Sequence, residues 1–248
     1  MNKLSTAIIV PMRIASTRLP GKQHQLIGDR PLIYYVLDNV LKTKVKNVFV
    51  ACDDPLHFDL ISKYGKVEAI MTAPELQSGS DRINAAANIL EKRGQSFDLI
   101  VNVQGDMPFF DPKIVDATID MMEKNPQFDI GTCAVRSSDP DWVNPPSHVK
   151  VVFTKKGNAL YFSRAVIPVD AKEANIHVGI YAYRRASLSK YAALPQSELE
   201  LKERLEQLRA LENGMQIGVC MVDSLPLSVD TPQDLELARE YYKKQYSA

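Results

Sequence analysis

Ala7-Ile8-Ile9-Val10 runs directly into Pro11-Met12-Arg13-Ile14-Ala15-Ser16-Thr17-Arg18-Leu19-Pro20-Gly21-Lys22. Four consecutive apolar residues without polar alternation predict a short strand buried on both faces. The loop after it brings three cations, two hydroxyls and a Pro-Gly turn to the carboxyl end of that strand. Backbone amides and cationic side chains in such a place neutralise a polyphosphate. The glycine spacing is not that of a Walker loop. Nor does a Gly-x-Gly-x-x-Gly turn follow the strand, so a nicotinamide-dependent oxidoreductase is discounted. On its own the loop also fits a solvated basic surface.

Working outward, Leu32, Ile33, Val36, Leu37, Val40 and Leu41 recur at helical spacing, with Pro31 placed in a first helical turn. Val48–Ala51 predicts a second strand, 55–64 a helix, Val67–Ile70 a third strand, Asp81–Lys92 a helix, Leu99–Val103 a fourth strand and 112–124 a helix. Strand and helix alternating at this pitch imply a parallel sheet with crossover helices. Ligands of such sheets bind beyond the carboxyl ends of the strands, here the loops after Val10, Ala51, Ile70 and Val103.

The second half changes character. Strands are predicted at 129–135, 148–153, 158–163 and 177–183, with few helices between them until about 186, as in an antiparallel or mixed extension of the sheet. A long helix is expected near 198–213, ending at Asn213-Gly214. A strand at Gln216–Val222 and a helix from Thr231 to about Tyr242 complete the chain. With no internal repeat and no clear linker, residues 1–248 are read as one domain.

Bulk properties narrow the function. The 248 residues bury enough surface to need no disulfide or structural metal. Lys+Arg and Asp+Glu both number 30, so neither a nucleic-acid coat nor a membrane-surface protein is expected. Cys52, Cys133 and Cys220 are odd in number and widely spaced, which suggests buried small side chains rather than a zinc or disulfide framework. No signal-peptide pattern and no apolar run of spanning length occurs, so a cytoplasmic location is expected.

Three further segments carry chemistry. Gln104-Gly105-Asp106 follows the fourth strand; a carboxylate there, after a glycine that admits close neighbours, suits magnesium, though a plain turn aspartate fits as well. In Val229-Asp230-Thr231-Pro232-Gln233-Asp234, Pro232 fits the first helical position, making Thr231 the N-cap and Asp234 its partner. That leaves the Asp230 carboxylate available to meet Asp106 on one metal. Ser78-Gly79-Ser80-Asp81-Arg82 opens a helix after the third strand; its small residues admit a base or ribose, and an ordinary capped helix start fits equally.

Together these segments resemble the 3-deoxy-manno-octulosonate cytidylyltransferases (CMP-Kdo synthetases) from about residue 7 to residue 240. The markers are Ala15–Lys22, Ser78–Arg82, Asn102–Asp106, Ala159-Leu160-Tyr161-Phe162-Ser163-Arg164, His177–Arg184, Leu205-Glu206-Gln207-Leu208-Arg209 and Val229-Asp230-Thr231-Pro232. Seven markers in order at compatible spacing are highly specific.

The resemblance implies a nucleotide-diphospho-sugar transferase-like α/β three-layer sandwich, with a mostly parallel central sheet and an antiparallel or mixed extension. It also implies a homodimer, with the strand-rich part near 130–190 serving dimerisation and sugar binding. The implied reaction joins CTP to the anomeric hydroxyl of 3-deoxy-D-manno-octulosonate (Kdo) and releases pyrophosphate, for the lipopolysaccharide core. By resemblance Arg13, Ser16, Arg18 and Lys22 contact the triphosphate, and Asp106 and Asp230 hold Mg2+. Arg13, Lys22, Asp106 and Asp230 form the catalytic set. Ala51, Thr72, Ser78, Gly79 and Arg82 surround the cytidine. Gln104, Arg164, His177, Tyr181, Glu206 and Gln207 take the acid sugar, with a solvated helix face the plain alternative for Glu206 and Gln207 and a satisfied strand histidine for His177.

The chain departs from the family pattern at several points. Gln23-His24 stand where Pro-Leu is usual, Met107 replaces a glutamate, Met12 an alanine and Ile176 a basic residue, and the stretch between Pro168 and His177 is short. The short stretch keeps a related acid sugar, such as 8-amino-Kdo or a capsule sugar, beside Kdo. A cytidylyltransferase for a non-sugar phosphate acceptor fits less well, given Arg164 and His177–Tyr181. A catalytically silent nucleotide-binding homologue is disfavoured because Lys22, Asp106 and Asp230 are all present.

Overall fold

The computed structural model describes residues 3–13, 18–76 and 78–246. The chain packs as two compact units, one formed by residues 5–113 with the stretch from Leu225 onward, the other by residues 114–224 with the N-terminal end.

In the first unit, β1 (Thr6–Pro11) is buried along its whole length. After it, a 3-10 turn (Lys22–His24) starts from Gly21 at φ 60, a left-handed conformation that glycine adopts without a Cβ penalty. A small hairpin, β2 (Leu26–Ile27) and β3 (Arg30–Pro31), leads into α1 (Leu32–Val40). Pro31 is the extended residue before the helix rather than part of its first turn. β4 (Asn47–Cys52), α2 (Pro55–Tyr64), β5 (Glu68–Met71), α3 (Gly79–Lys92) and β6 (Leu99–Asn102) follow. The strand order is β6-β1-β4-β5, every pair parallel, with Ile8 opposite Val48 and Val101. Ile8, Ile9, Val10, Val50, Ile100 and Val101 are wholly buried, as the unbroken apolar runs require.

In the second unit, α4 (Lys113–Lys124) precedes β7 (Ile130–Ser137), and a short α5 (Pro140–Val143) follows. The sequence reading missed α5, although Asp139 caps it through the Asp141 N–H and Pro140 takes its first turn. Next come β8 (Lys150–Phe153), β9 (Ala159–Ser163), β10 (Ala174–Arg184) and α6 (Arg185–Ala192). β10 runs antiparallel to both β7 and β8, and β8 antiparallel to β9.

The helix expected over 198–213 is two helices, α7 (Glu198–Glu203) and α8 (Gln207–Glu212). Arg204 breaks it at φ 56, and the carbonyls of Glu203 and Arg204 turn outward to accept from the Arg164 guanidinium at 3.0 and 3.3 Å. The break also lets Glu200 of α7 pair with Arg209 of α8 through bonds of 2.8 and 2.5 Å. β11 (Ile217–Met221) then lies parallel to β7. Finally α9 (Pro232–Tyr246) returns to the first unit. The fold is mixed α/β, with a mostly parallel central sheet and an antiparallel extension.

Cys52 and Cys133 are buried and Cys220 is half-buried, all three unpaired. Burial, with the charge of Asp53 adding and Arg82 opposing, pushes the Cys52 thiol up to about 12, so it stays an inert thiol. Among the described residues no helix is long and apolar enough to cross a membrane.

Candidate active site

Asp106 and Asp230 reach one place because the backbone joins their neighbourhoods. The Val229 N–H donates to the Asp106 carbonyl at 2.8 Å, and Phe109 bridges Leu227 in antiparallel fashion. Gly105 lets this corner close up, since a Cβ there would stand 3.1 Å from the Pro11 carbonyl oxygen. The helix start after Asp230 forms as its residues require. The Thr231 N–H donates to Asp234 Oδ2 at 2.8 Å, and the Asp234 N–H to Thr231 Oγ1 at 3.2 Å. Asp234 thus does the capping, and the Asp230 carboxylate faces elsewhere.

It faces Lys22. The Lys22 ammonium donates to Asp106 Oδ2 and to Asp230 Oδ1, each at 2.8 Å, and Arg18 adds a contact to Asp230 Oδ1 at 3.2 Å. The lysine side chain is 8% exposed, against 24% for Asp106 and 39% for Asp230. Burial pushes the Asp106 carboxyl above its ordinary value, with the Asp230 charge adding and Lys22 opposing. Around Asp230 burial also pushes upward, but the bond and charge of Lys22 and the charge of Arg18 outweigh it and hold the carboxyl low. Burial depresses Lys22, and the two carboxylates more than offset this, so its ammonium stays charged.

These groups suit a hard divalent cation. Both carboxylates offer oxygen donors to the point now held by an ammonium. Among the described residues no third His, Cys, Asp or Glu joins them as a possible ligand. Two carboxylates with the remaining positions left to water and phosphate is the donor set magnesium takes, unlike the closed nitrogen and sulfur sets of structural zinc.

Arg13 is exposed at the end of β1, and Ser16 lies outside the described residues. Ala51 is wholly buried in β4, where its carbonyl accepts the Met12 N–H at 2.8 Å. Thr72 is tied to Cys52 through both its N–H and its hydroxyl. Ser78 is the N-cap of α3 and forms a capping box with Asp81, while a Cβ added at Gly79 would stand 3.4 Å from the Pro11 ring. Arg82 is wholly buried and donates to Thr72 Oγ1, the Ala73 carbonyl and the Leu76 carbonyl.

The sequence reading missed what holds Arg82. Asp53, at the end of β4, lies 3.5 Å from the Arg82 guanidinium and 2.9 Å from His57 Nδ1. Three buried charged or polar side chains from β4's end, α2 and α3 thereby brace the segment 72–76. The Asp-Asp pair at 53–54 was the available signal: Asp54 caps α2 through the Leu56 N–H, which leaves Asp53 for another partner.

Of the residues expected at the sugar, Gln104 lies half-buried after β6 in the first unit, and the other five lie in the second. Tyr181 lies within a bulge of β10 between Val178 and Ala182, and His177 stands just before it. The Thr132 hydroxyl donates toward the carbonyls of Val178 (3.2 Å) and Ile180 (2.8 Å) within that bulge. A hydroxyl with one proton so directed receives its 2.9 Å bond from His177 Nε2–H, leaving Nδ1 as the ring's acceptor. Burial pushes the His177 imidazole down to about 3, so it is neutral. Tyr181 packs on His177 with ring centroids 5.4 Å apart. Glu206 is exposed at the start of α8, where its carbonyl accepts the Tyr191 hydroxyl, and Gln207 is buried.

Arg164, expected at the acid sugar, is held by main-chain carbonyls. Its guanidinium donates to the carbonyls of Pro146, Glu203 and Arg204. Its own N–H and the Ser163 hydroxyl donate to the Glu203 carboxylate. Beneath it the wholly buried Lys150 ammonium caps the carbonyls of Pro145, His148 and Arg164. Lys150 gave no sequence signal because its partners are main-chain carbonyls set by the fold, and Glu203 gave none because its partners lie about forty positions away, on Ser163 and Arg164.

The chain matches the cytidylyltransferase family model over residues 7–217. It is 43% identical to a 3-deoxy-manno-octulosonate cytidylyltransferase of Paramagnetospirillum magneticum, covering 98% of this chain and 100% of that one. It is also 43% identical to the one of Rickettsia bellii, with 98% of each chain covered. A solved CMP:2-keto-3-deoxy-manno-octonic acid synthetase complexed with CTP superposes with a TM-score of 0.89 at 35% identity, covering 97% of this chain and 99% of that chain. A cytidylyltransferase from Leptospira borgpetersenii, 17% identical with a TM-score of 0.60, covers 98% of this chain and 96% of its own and shares the fold.

Proposed function

The chain belongs to the 3-deoxy-manno-octulosonate cytidylyltransferase family, and from that premise we propose that it transfers CMP from CTP to the anomeric hydroxyl of Kdo, releasing pyrophosphate. The observation that carries this reading is the convergence of Asp106 and Asp230 on one ammonium, at the mouth of a cationic loop.

In-line transfer at phosphorus needs alignment and charge neutralisation more than a covalent nucleophile. Arg13, Ser16, Arg18 and Lys22 bind the triphosphate and draw charge toward the leaving pyrophosphate. Asp106 and Asp230 would hold Mg2+, which when bound would supply neutralisation of phosphate charge and activation of the attacking hydroxyl. Arg82, held by Asp53, fixes segment 72–76 against the cytosine, while Ala51, Ser78 and Gly79 keep the floor of the nucleoside site close and small. Gln104, His177, Tyr181, Glu206 and Gln207 take the sugar hydroxyls. His177 serves there as a neutral hydrogen-bonding group. Arg164 acts on the sugar through the turn at Glu203–Arg204 that its guanidinium holds.

The enzyme is further proposed to be a cytoplasmic homodimer that supplies an activated sugar for the lipopolysaccharide core. Leu160 and Val169 are strongly exposed within the strand-rich stretch assigned to dimerisation, which supports that part of the reading.

Incubation of the purified protein with each of the four nucleoside triphosphates, magnesium and Kdo, 8-amino-Kdo or a sialic acid tests the assignment. Mass spectrometry is expected to find a CMP ester of Kdo, formed from CTP. Absence of product with every acid sugar would refute it.

A further inference from the structure

The two carboxylates of Asp106 and Asp230 already face two cations, Lys22 at 2.8 Å from each and Arg18 at 3.2 Å from Asp230. Their charge is therefore balanced from within the protein. A divalent cation arriving alone must displace an ammonium that is 8% exposed and held by two short bonds. Both cations lie in the loop assigned to the triphosphate. A triphosphate competes for the same two side chains, and when it takes them the carboxylates are left with uncompensated charge.

From this arrangement we infer that Lys22 is a place-holding cation: it occupies the metal position in the nucleotide-free protein and yields it to the metal when a triphosphate draws it away. The inference rests on the reading of Asp106 and Asp230 as metal ligands. Its consequence is an order of assembly in which the free protein binds the metal weakly and nucleotide binding opens the site. A Lys22 that merely cross-links two chain segments predicts the opposite sign, since its removal would loosen the carboxylates and weaken any cation site.

The test is Mn2+ binding to nucleotide-free protein, followed by the electron paramagnetic resonance signal of free Mn2+, for wild type, Lys22→Met and Lys22→Gln. Urea unfolding reports whether each variant is folded, and the glutamine variant serves if the methionine variant is not. Removal of the ammonium is expected to tighten Mn2+ binding about tenfold or more. The pair variants Lys22→Met/Asp106→Asn and Lys22→Met/Asp230→Asn are expected to return to the wild-type level. A folded Lys22 variant with wild-type or weaker Mn2+ affinity overturns the place-holding role. A gain that survives in both pair variants overturns instead the ligand assignment on which it rests.

Discussion

Asp106 and Asp230 bond to the same atom, Lys22 Nζ, at 2.8 Å each, although one follows β6 and the other precedes α9. Neither can be replaced by its amide without unbalancing the other. Asp106→Asn and Asp230→Asn are each expected to lower kcat by at least about 10²-fold, a loss typical of removing a group that stabilises transition-state charge. Urea unfolding should remain cooperative. A variant with a near-wild-type rate would remove that carboxylate from the reaction.

Arg82 braces segment 72–76, which is proposed to face the cytosine. It is wholly buried and bonds to Thr72, Ala73 and Leu76 with Asp53 behind it. Lysine keeps the charge but not the planar fork that reaches three acceptors. Arg82→Lys is expected to raise KM for CTP by about tenfold, equivalent to one such hydrogen bond to a charged group, with a smaller change in kcat. An unchanged KM would mean that segment 72–76 does not contact the base.

Glu200 and Arg209 form a two-bond ion pair with side chains 4% and 6% exposed, and the arginine also stacks over Tyr191 at 5.0 Å. Removing one partner strands a buried charge. Arg209→Leu is expected to cost about 3–5 kcal/mol of unfolding free energy. The double variant Glu200→Leu/Arg209→Leu should lose less, because no charge is left behind. Equal losses would show that packing, not charge, dominates there.

His177 gives a pH dependence of definite sign. Its pKa is about 3 when folded because burial disfavours the imidazolium, against an ordinary 6.5. Between those values the unfolded chain binds the extra proton, so stability falls as pH drops from about 6.5 toward 3 and is unaffected above that window. His177→Gln should show a shallower decline of Tm with acidification. Identical slopes for variant and wild type would contradict the buried, neutral histidine.

The parallel half of the fold was readable because its signals are local. The runs at 7–10, 48–51 and 99–103 are apolar without alternation, and all became buried parallel strands. Likewise Thr231, Pro232 and Asp234 specify their own cap, which is why Asp230 could be read as available. The break at Arg204 was not readable. A helical pattern runs through 198–213, and what stops it is Arg164, about forty positions earlier, competing for the carbonyls of Glu203 and Arg204. The Asp53–Arg82 brace escaped for the same reason, since its members come from three separate elements. Arg164 shows the converse: the motif made its charge legible but not that main-chain carbonyls already hold it.

The most direct measurement is continuous pyrophosphate release by the wild-type protein with CTP and Kdo, with Mg2+ present and then removed by chelation. The account predicts turnover only when CTP, Kdo and the cation are all supplied, and recovery when Mg2+ is restored. Release at an undiminished rate without the divalent cation, or none with all three present, would contradict it.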